Sequence, residues 1–419
     1  METVDLLVIG GGAGGFFGAI TAAEAYAGMR VLLLEKGTQA LSKVRISGGG
    51  RCNVTHSCFE PRVLSGRYPR GAKALLSAFS RFQPKDTVEW FEKRGVKLKV
   101  EEDGRMFPVT DRSETIMQCL LGAAEKAGVV VRLRCGVKAI EKKGEAHWIA
   151  QLDDGQAVEA RFVLVATGGC RAGDGVRFLE SLGHKVEKPV PSLFTFHVEN
   201  AWVKSLAGVS VSAVQVSVIG TSIKEVGPVL FTHWGLSGPG ILRTSAWGAR
   251  VLEDRDYRFE LQLRWVERLG REQWIEILQK KREESPGKQV ENTALEGIPS
   301  RLWEELVRLA GVPEERRWNQ LTKTEAHQLA EILGGTKVQV SGKSLNKDEF
   351  VTCGGVSLKE VDFKTMESRC ARGVWFAGEV LDIDGITGGF NFQSAWTTGW
   401  IAGQTIARIC REERKETER

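Results

Sequence analysis

A chain that opens VDLLVIGGGAGGFFGAITAAEAYAGMRVLLLEK has few folds available to it. The apolar run Val4–Ile9 reads as a buried parallel strand, and it breaks at once into Gly10, Gly11, Gly12, Ala13, Gly14 and Gly15. Small residues follow at helical spacing (Ala19, Ala22, Ala23), and a second apolar run, Val31–Leu34, ends on Glu35 and Lys36. Strand, glycine turn, helix, strand and acid, in that order, make the dinucleotide-binding fingerprint. Gly10 permits the tight turn, Gly12 lets backbone N–H groups approach a pyrophosphate, and Gly15 lets the helix lie close on the strand. The helix N-terminus offers unpaired N–H groups and a partial positive charge to phosphates. Glu35 stands where an adenosine ribose needs a hydrogen-bond acceptor.

The 419 residues exceed the usual size of one domain, so at least two are expected. A net charge of +5 spread over that length does not by itself imply a nucleic-acid partner. The eight cysteines, at 52, 58, 119, 135, 170, 353, 370 and 410, contain no C-x-x-C pair and no metal-ligand spacing with histidine. Reduced, mostly buried thiols in a cytoplasmic protein are therefore expected, with no metal centre. The N-terminal apolar stretch lacks a basic leader and is interrupted by Asp5 and Glu24, and no run is long enough to span a membrane. Residues 411–419 read as a solvated helix end.

Further along, Gly48–Gly50 forms a second glycine cluster flanked by Lys43, Arg45 and Arg51. Such a loop can press its backbone against a flat or charged ligand while the cations meet anionic oxygens. Cys52 and Asn53 follow directly. Pro84 starts a helix that Gly95 caps, and Asp103-Gly104 turns a hairpin. Asp111-x-x-Glu114 is expected to open a helix that Gly128 closes. The strand VVVRL continues through Val137, whose backbone can face an adenine. After the hairpin at Asp153–Gly155, a buried strand through Ala166 ends in Thr167, Gly168 and Gly169, as strands of two-dinucleotide-domain flavoproteins do.

From about Pro189 the texture changes to short alternating β runs with no helix between them, which suggests an inserted antiparallel sheet or barrel. Residues 268 to 333 turn helical, with a capping box at Thr322 and Glu325. Trp265, Trp274, Trp303 and Trp318 read as packing residues. FTHWGLSGPG, residues 231–240, places His233 in a polar loop, but G-x-S-x-G is absent and a serine-hydrolase reading is poor. At the end, VWFAGE is a strand closing on Gly378 and Glu379, whose carboxylate can bind a ribityl hydroxyl. Gly388-Gly389 then leads through Phe390, Asn391 and Phe392 into a helix with Ala395, Gly399, Ala402 and Gly403 on it. The N-terminus of that helix can stabilise negative charge on a reduced flavin's pyrimidine edge.

The motifs GGGAGG (10–15), LLLEK (32–36), ISGGGRCNVT (46–55), VATGG (165–169), THWGLSGPG (232–240), TCGGV (352–356) and FAGEVLDIDGITGGFNFQSAWTTG (376–399) span nearly the whole chain. Together they resemble the BaiN/RdsA-like family of NAD(P)/FAD-dependent flavoproteins. The resemblance implies an α/β, Rossmann-like FAD-binding domain built from both chain ends, with an inserted β-barrel-like domain and a small helical subdomain. The expected boundaries are 1–190 for the first part of the FAD-binding domain and 191–267 for the first part of the insertion. The helical subdomain takes 268–334, the insertion's return 335–350, and the second part of the FAD-binding domain 351–419.

Carried over by motif, Gly10, Gly12, Ala13, Gly14 and Gly15 meet the pyrophosphate, and Glu35 with Lys36 the adenosine ribose. Lys43, Gly49, Gly50, Arg51, Cys52 and Asn53 lie along the cofactor, Val137 at its adenine, and Ala166, Thr167, Gly168 and Gly169 beneath it. Gly378 and Glu379 meet the ribityl chain, and Gly389, Asn391 and Phe392 the pyrimidine edge. Position 56, Asn in many family members, is His56 here.

The expected activity is that of an FAD-dependent oxidoreductase, with NADPH or NADH as reductant and hydride exchange at flavin N5 with an unsaturated small molecule or nucleobase-like substrate. Two other readings stand beside it: a flavin oxidase of a small amine or ketone that uses O2, and an RNA-associated accessory flavoprotein linked to dihydrouridine formation in ribosomal RNA. A disulfide reductase is disfavoured by the lack of a redox cysteine pair after the first βαβ unit. His233, Arg105 and Cys52 are the candidates for a catalytic group.

Overall fold

The computed structural model describes residues 1–144, 147–169, 174–295, 297–344 and 351–417. The chain divides into two compact units, Met1–Pro191 with Lys347–Arg419, and Ser192–Asn346.

The first unit is built on a nine-stranded mixed sheet. At its centre β1 (Glu2–Ile9) pairs in parallel with β2 (Val31–Leu34) on one side and with the strand Ala157–Val165 on the other. Val374–Phe376 adds in parallel beyond Ala157–Val165, and Val130–Arg132 beyond β2. The order is that of chain ends meeting: a strand from residue 374 onward sits two places from the one that starts at residue 2. Strands buried on both faces read as continuous apolar runs, and Val4–Ile9 and Val31–Leu34 are buried throughout.

Small residues decide how the helices cover this sheet. Helix α1 (Ala13–Ala25) packs against the C-terminal helix Phe390–Thr417 with almost no side chain between them. A Cβ on Gly399 would lie 2.6 Å from the Gly14 carbonyl oxygen, and one on Gly403 2.6 Å from that of Gly18. Aromatic rings fill the flank of this contact, where Phe17 meets Phe82, Trp90 and Trp396 at centroid distances of 4.6 to 5.5 Å. The C-terminal helix is also pinned by buried polar groups. Thr55 and Thr87 donate to Gln393 Oε1 (2.6 and 2.9 Å), Trp396 Nε1 donates to the Val54 carbonyl (2.9 Å), and Tyr68 donates to that of Phe390 (2.6 Å).

The second unit is a closed six-stranded antiparallel barrel formed by Thr195–Val198, Gly235–Ser237, Lys224–Thr232, Ser210–Val218, Phe259–Arg264 and Thr336–Ser344 in that spatial order. Three helices, Arg271–Glu284, Ser300–Leu309 and Lys323–Gly335, stand between its last two strands. All four tryptophans assigned to packing are buried to 1% exposure or less. The capping box closes as expected, Glu325 N–H on Thr322 Oγ1 and Thr322 N–H on Glu325 Oε2.

Several local expectations need correction. The β-rich stretch does contain helices, the short Ala201–Ser205 and the longer Pro239–Glu253, which starts directly behind the Gly238-Pro239 turn. Asp111 is not a helix cap: the helix is Ser113–Lys126 with Arg112 at its N-cap. Asp111 instead pairs with Lys99 and Arg51, and the Lys99 hydrogen bond holds its carboxyl below the usual aspartate range. Of the seven described cysteines, only Cys52, Cys353 and Cys410 are buried, and Cys370 is exposed; Cys170 lies outside the described residues.

Candidate functional site

The turn after β1 is shaped by backbone that crowds it. Gly10 has φ +110°, and a Cβ there would sit 2.3 Å from the Ala166 carbonyl oxygen; one on Gly15 would sit 2.0 Å from the Gly10 oxygen. These two glycines are fixed by the protein itself. Gly12 differs: its backbone is extended, and a Cβ would meet nothing within 4 Å. The same holds at Gly49, Gly50 and Gly168, each at positive φ. The glycines that packing does not require are thus the ones that leave a ligand access to backbone N–H groups.

Hydrogen bonds draw the other segments to this turn. Glu35 accepts the Gly11 N–H on Oε2 (2.8 Å) and the Gly37 N–H on Oε1 (2.6 Å), which aims its carboxylate across the turn. Each oxygen retains a lone pair for a hydroxyl donor. The Leu41 N–H donates to the Gly11 carbonyl (2.8 Å) and leads the second glycine cluster in. That cluster is formally part of a helix, Ser42–Gly50, but the helix breaks at Ser47, and Gly48 and Gly49 are left-handed. Lys43 then pairs with Glu379 Oε2, while Glu379 Oε1 accepts the Thr352 N–H at 2.8 Å. A Cβ on Gly169 would meet both Thr352 and Glu379, and one on Gly14 would lie 3.3 Å from the Ala377 carbonyl. Gly10–Gly15, Glu35, Lys43, Ala166–Gly169, Gly378 and Glu379 are therefore neighbours.

Beside them, Cys135 N–H donates to the Glu35 carbonyl (2.9 Å), and a Cβ on Gly136 would lie 3.3 Å from Lys36 Cγ. The strand Val137–Lys143 starts at that point, so Val137 and Lys36 border the Glu35 end. At the other end, a Cβ on Gly389 would lie 2.6 Å from the Thr55 carbonyl oxygen. With its oxygen toward Gly389, the Asn53 amide accepts that N–H (3.0 Å) and donates to the Thr55 carbonyl (3.0 Å). Asn391 is committed to its own loop, donating to the Gly385 carbonyl (2.9 Å) and accepting the Gly385 N–H (2.8 Å). What Asn391 and Phe392 have left for a ligand is backbone N–H at the first turn of their helix. His56 stacks on Phe390 at 4.8 Å and lies 3.1 Å from the Asp103 carbonyl.

The arginines here are held by acids. Arg51 donates to Glu101 (2.6 Å) and lies 4.0 Å over the Phe107 ring, and the Glu101 contact raises its pKa further. Arg105 bonds Asp103 (2.7 Å) and Glu101 (3.0 Å). Cys52 is fully buried at φ +61°, and burial pushes its thiol up to about 12. At pH 8 roughly one such thiol in 10⁴ is ionised. Alkylation of the folded, metal-free protein followed by peptide mapping is therefore expected to modify the exposed Cys370 and spare Cys52; equal labelling would contradict the burial. His233 is exposed at the turn between Lys224–Thr232 and Gly235–Ser237, in the barrel unit, whereas Arg105 and Cys52 belong to the first.

Three features of this region were not singled out from sequence. Thr352 orients Glu379, Gln393 joins Thr55 to Thr87, and a bidentate Arg70–Asp384 pair lies in the DIDG loop. The DIDG and FNFQSAW strings carried the last two, but nothing in them names a partner more than 300 residues away.

The glycine segments have the chemistry that an FAD requires. The open Cβ directions at Gly12, Gly49, Gly50 and Gly168 lie on segments linked by Glu35, Lys43 and Glu379. A diphosphate needs N–H donors and a ribose needs an acid, and these segments supply both. The residues present fit the group.

Known proteins agree on the framework. A family model described as HI0933-like protein Rossmann domain matches residues 4–405. The ribosomal RNA dihydrouridine synthase of Escherichia coli strain K12 is 31% identical over 97% of this chain and 98% of its own length. The 3-dehydro-bile acid delta(4,6)-reductase of Clostridium scindens is 26% identical over 96% and 98%. Among solved structures, a 3-ketosteroid-delta4-(5alpha)-dehydrogenase from Rhodococcus jostii RHA1 superposes with a TM-score of 0.51 at 15% identity, covering 97% of each chain. That last likeness is one of fold.

Proposed function

The chain belongs to the HI0933-like family of FAD-dependent oxidoreductases, and from that premise we propose that it is an NAD(P)H-driven reductase of a carbon–carbon double bond conjugated to a carbonyl. The observation that carries the reading is the near full-length match to two relatives whose names, a dihydrouridine synthase and a delta(4,6)-reductase, both describe saturation of such a bond. Of the two acceptor classes, the uracil ring of ribosomal RNA is favoured by the 31% identical relative.

Bound FAD supplies the hydride chemistry. The chain's residues bind and orient it. The turn at Gly12 and the start of α1 hold the diphosphate through N–H groups and the helix dipole. Glu35, its carboxylate fixed by Gly11 and Gly37, accepts from the adenosine ribose. Glu379, fixed by Thr352, accepts from the ribityl chain. The N–H groups in the first turn of Phe390–Thr417 would hold the pyrimidine edge and favour negative charge there.

The test is product mass. Reduced protein mixed with uridine-containing ribosomal RNA or with a steroid enone is expected to leave one of them heavier by two hydrogens. If both acceptors stay unchanged while O2 reoxidises the protein rapidly with peroxide release, the reductase reading fails and an oxidase takes its place.

A further inference from the structure

Beyond the cofactor residues, one side-chain cluster assembles from three segments distant in sequence. His184 lies before the strand Val186–Ser192, Glu360 ends the 3-10 turn Leu358–Glu360, and Cys370 follows the short strand Glu367–Ser368. One ligand atom from each lies within 4.8 Å of the other two, and no other such group of three occurs among the described residues. We propose that His184, Glu360 and Cys370 bind a divalent transition metal of the zinc class. None of the three belongs to the set assigned above to FAD.

The donor set selects the metal. One imidazole nitrogen, one carboxylate oxygen and one thiolate sulfur suit Zn²⁺ and disfavour Mg²⁺ and Ca²⁺, which take oxygen. Tetrahedral zinc sets its ligand atoms roughly 3.3–3.7 Å apart, from bond lengths of about 2.0–2.3 Å. His184 Nδ1 and Glu360 Oε2 are already 3.1 Å apart, so small side-chain adjustments suffice. Cys370 is exposed and the Glu360 side chain is 27% exposed, which leaves an entry path and a fourth position for water.

Outer contacts fix the ligands as metal sites require. Ser368 Oγ sits 2.8 Å from His184 Nε2, and the N–H groups of Cys370 (3.1 Å) and Ala371 (2.7 Å) donate to that oxygen. The Lys185 N–H donates to Glu360 Oε2 (2.8 Å). On binding, the Cys370 thiol proton goes to solvent and the imidazole proton moves to Nε2; Ser368 Oγ, whose two lone pairs take the Cys370 and Ala371 N–H groups, must give up one of these to accept it. The metal would clip the 3-10 turn and the Ser368–Cys370 bend to the start of Val186–Ser192. Of the three, Cys370 also lines a cavity of about 450 Å³, with Trp148, Leu182 and Arg372.

The experiment is Zn²⁺ titration of FAD-loaded, chelator-stripped protein by calorimetry, with zinc K-edge absorption of the complex. One equivalent bound with a single sulfur neighbour is expected. Cys370→Ser, an exposed position whose fold is checked by circular dichroism, should remove the sulfur neighbour and weaken binding by more than roughly 100-fold. Ser368→Ala should cost about 10- to 100-fold, as an outer partner does. Absence of stoichiometric binding, or Cys370→Ser protein that binds as tightly as the parent, would overturn the site.

Discussion

Gly12→Val is expected to leave the apoprotein folded and to lower FAD affinity by at least about 100-fold, equivalent to about 2.7 kcal/mol. Its backbone is extended and a Cβ there meets no protein atom within 4 Å, so any L-residue fits. The apoprotein's stability should change by no more than about 0.5 kcal/mol. A valine side chain does, however, fill the space through which N–H groups reach a diphosphate, and charge-assisted hydrogen bonds of that kind are worth about 1.5–3 kcal/mol each. Gly10→Ala supplies the contrast. At φ +110°, and with its Cβ 2.3 Å from the Ala166 oxygen, it combines backbone strain of about 1–3 kcal/mol with overpacking of similar size. It should therefore destabilise the fold itself. Denaturant melts and flavin-quenching titrations of the two variants separate a glycine kept for the ligand from one kept for the fold. If Gly12→Val binds FAD as the parent does, the cofactor is not held at this turn.

Arg70→Met is expected to cost about 3–5 kcal/mol of stability, because it leaves a buried carboxylate without its bidentate partner. Asp384 is fully buried, and the Arg70 side chain is 15% exposed. The pair also joins two backbone segments, since residues 70 and 384 form an isolated antiparallel bridge. The loop they fix runs through Gly385, which holds Asn391, into Gly388-Gly389. Reduced FAD retention should accompany the lost stability. Adding Asp384→Asn should recover part of the loss, since a buried amide costs less than a buried charge. Chemical denaturation of the parent, the single variant and the double variant measures this directly. A single variant within 1 kcal/mol of the parent would show that other groups carry Asp384.

Local periodicity made much of the framework legible. Val4–Ile9, Val31–Leu34 and the strand ending at Val165 are unbroken apolar runs, and a strand buried on both faces needs that pattern. The small residues of α1 and of the last helix were legible at helical spacing, but their use, the packing of the two helices on each other, was not. The helix Pro239–Glu253 was hidden because it begins directly after a strand and a glycine-proline turn, inside a stretch whose alternation suggested sheet. Asp111 looked like a cap because D-x-x-E spacing is a local signal; Lys99 and Arg51, brought in by the fold, outcompete that role. Within the candidate site, the glycines and acids were readable as types, but the partners of Glu379, Gln393 and Asp384 come from segments far along the chain. The grouping of His184, Glu360 and Cys370 is of the same kind. Spacing rules for metal ligands look for neighbours in sequence, and these residues have none.

The activity proposed for this chain is to hold FAD and pass reducing equivalents from a nicotinamide nucleotide to an unsaturated acceptor. The most direct measurement is anaerobic stopped-flow absorbance of FAD-loaded protein mixed with NADPH or NADH, followed by a second mixing with uridine-containing ribosomal RNA or an enone. The flavin band is expected to bleach with one nucleotide and to recover only when an acceptor is added. A protein that binds no flavin, or whose flavin neither nucleotide reduces, would contradict that activity.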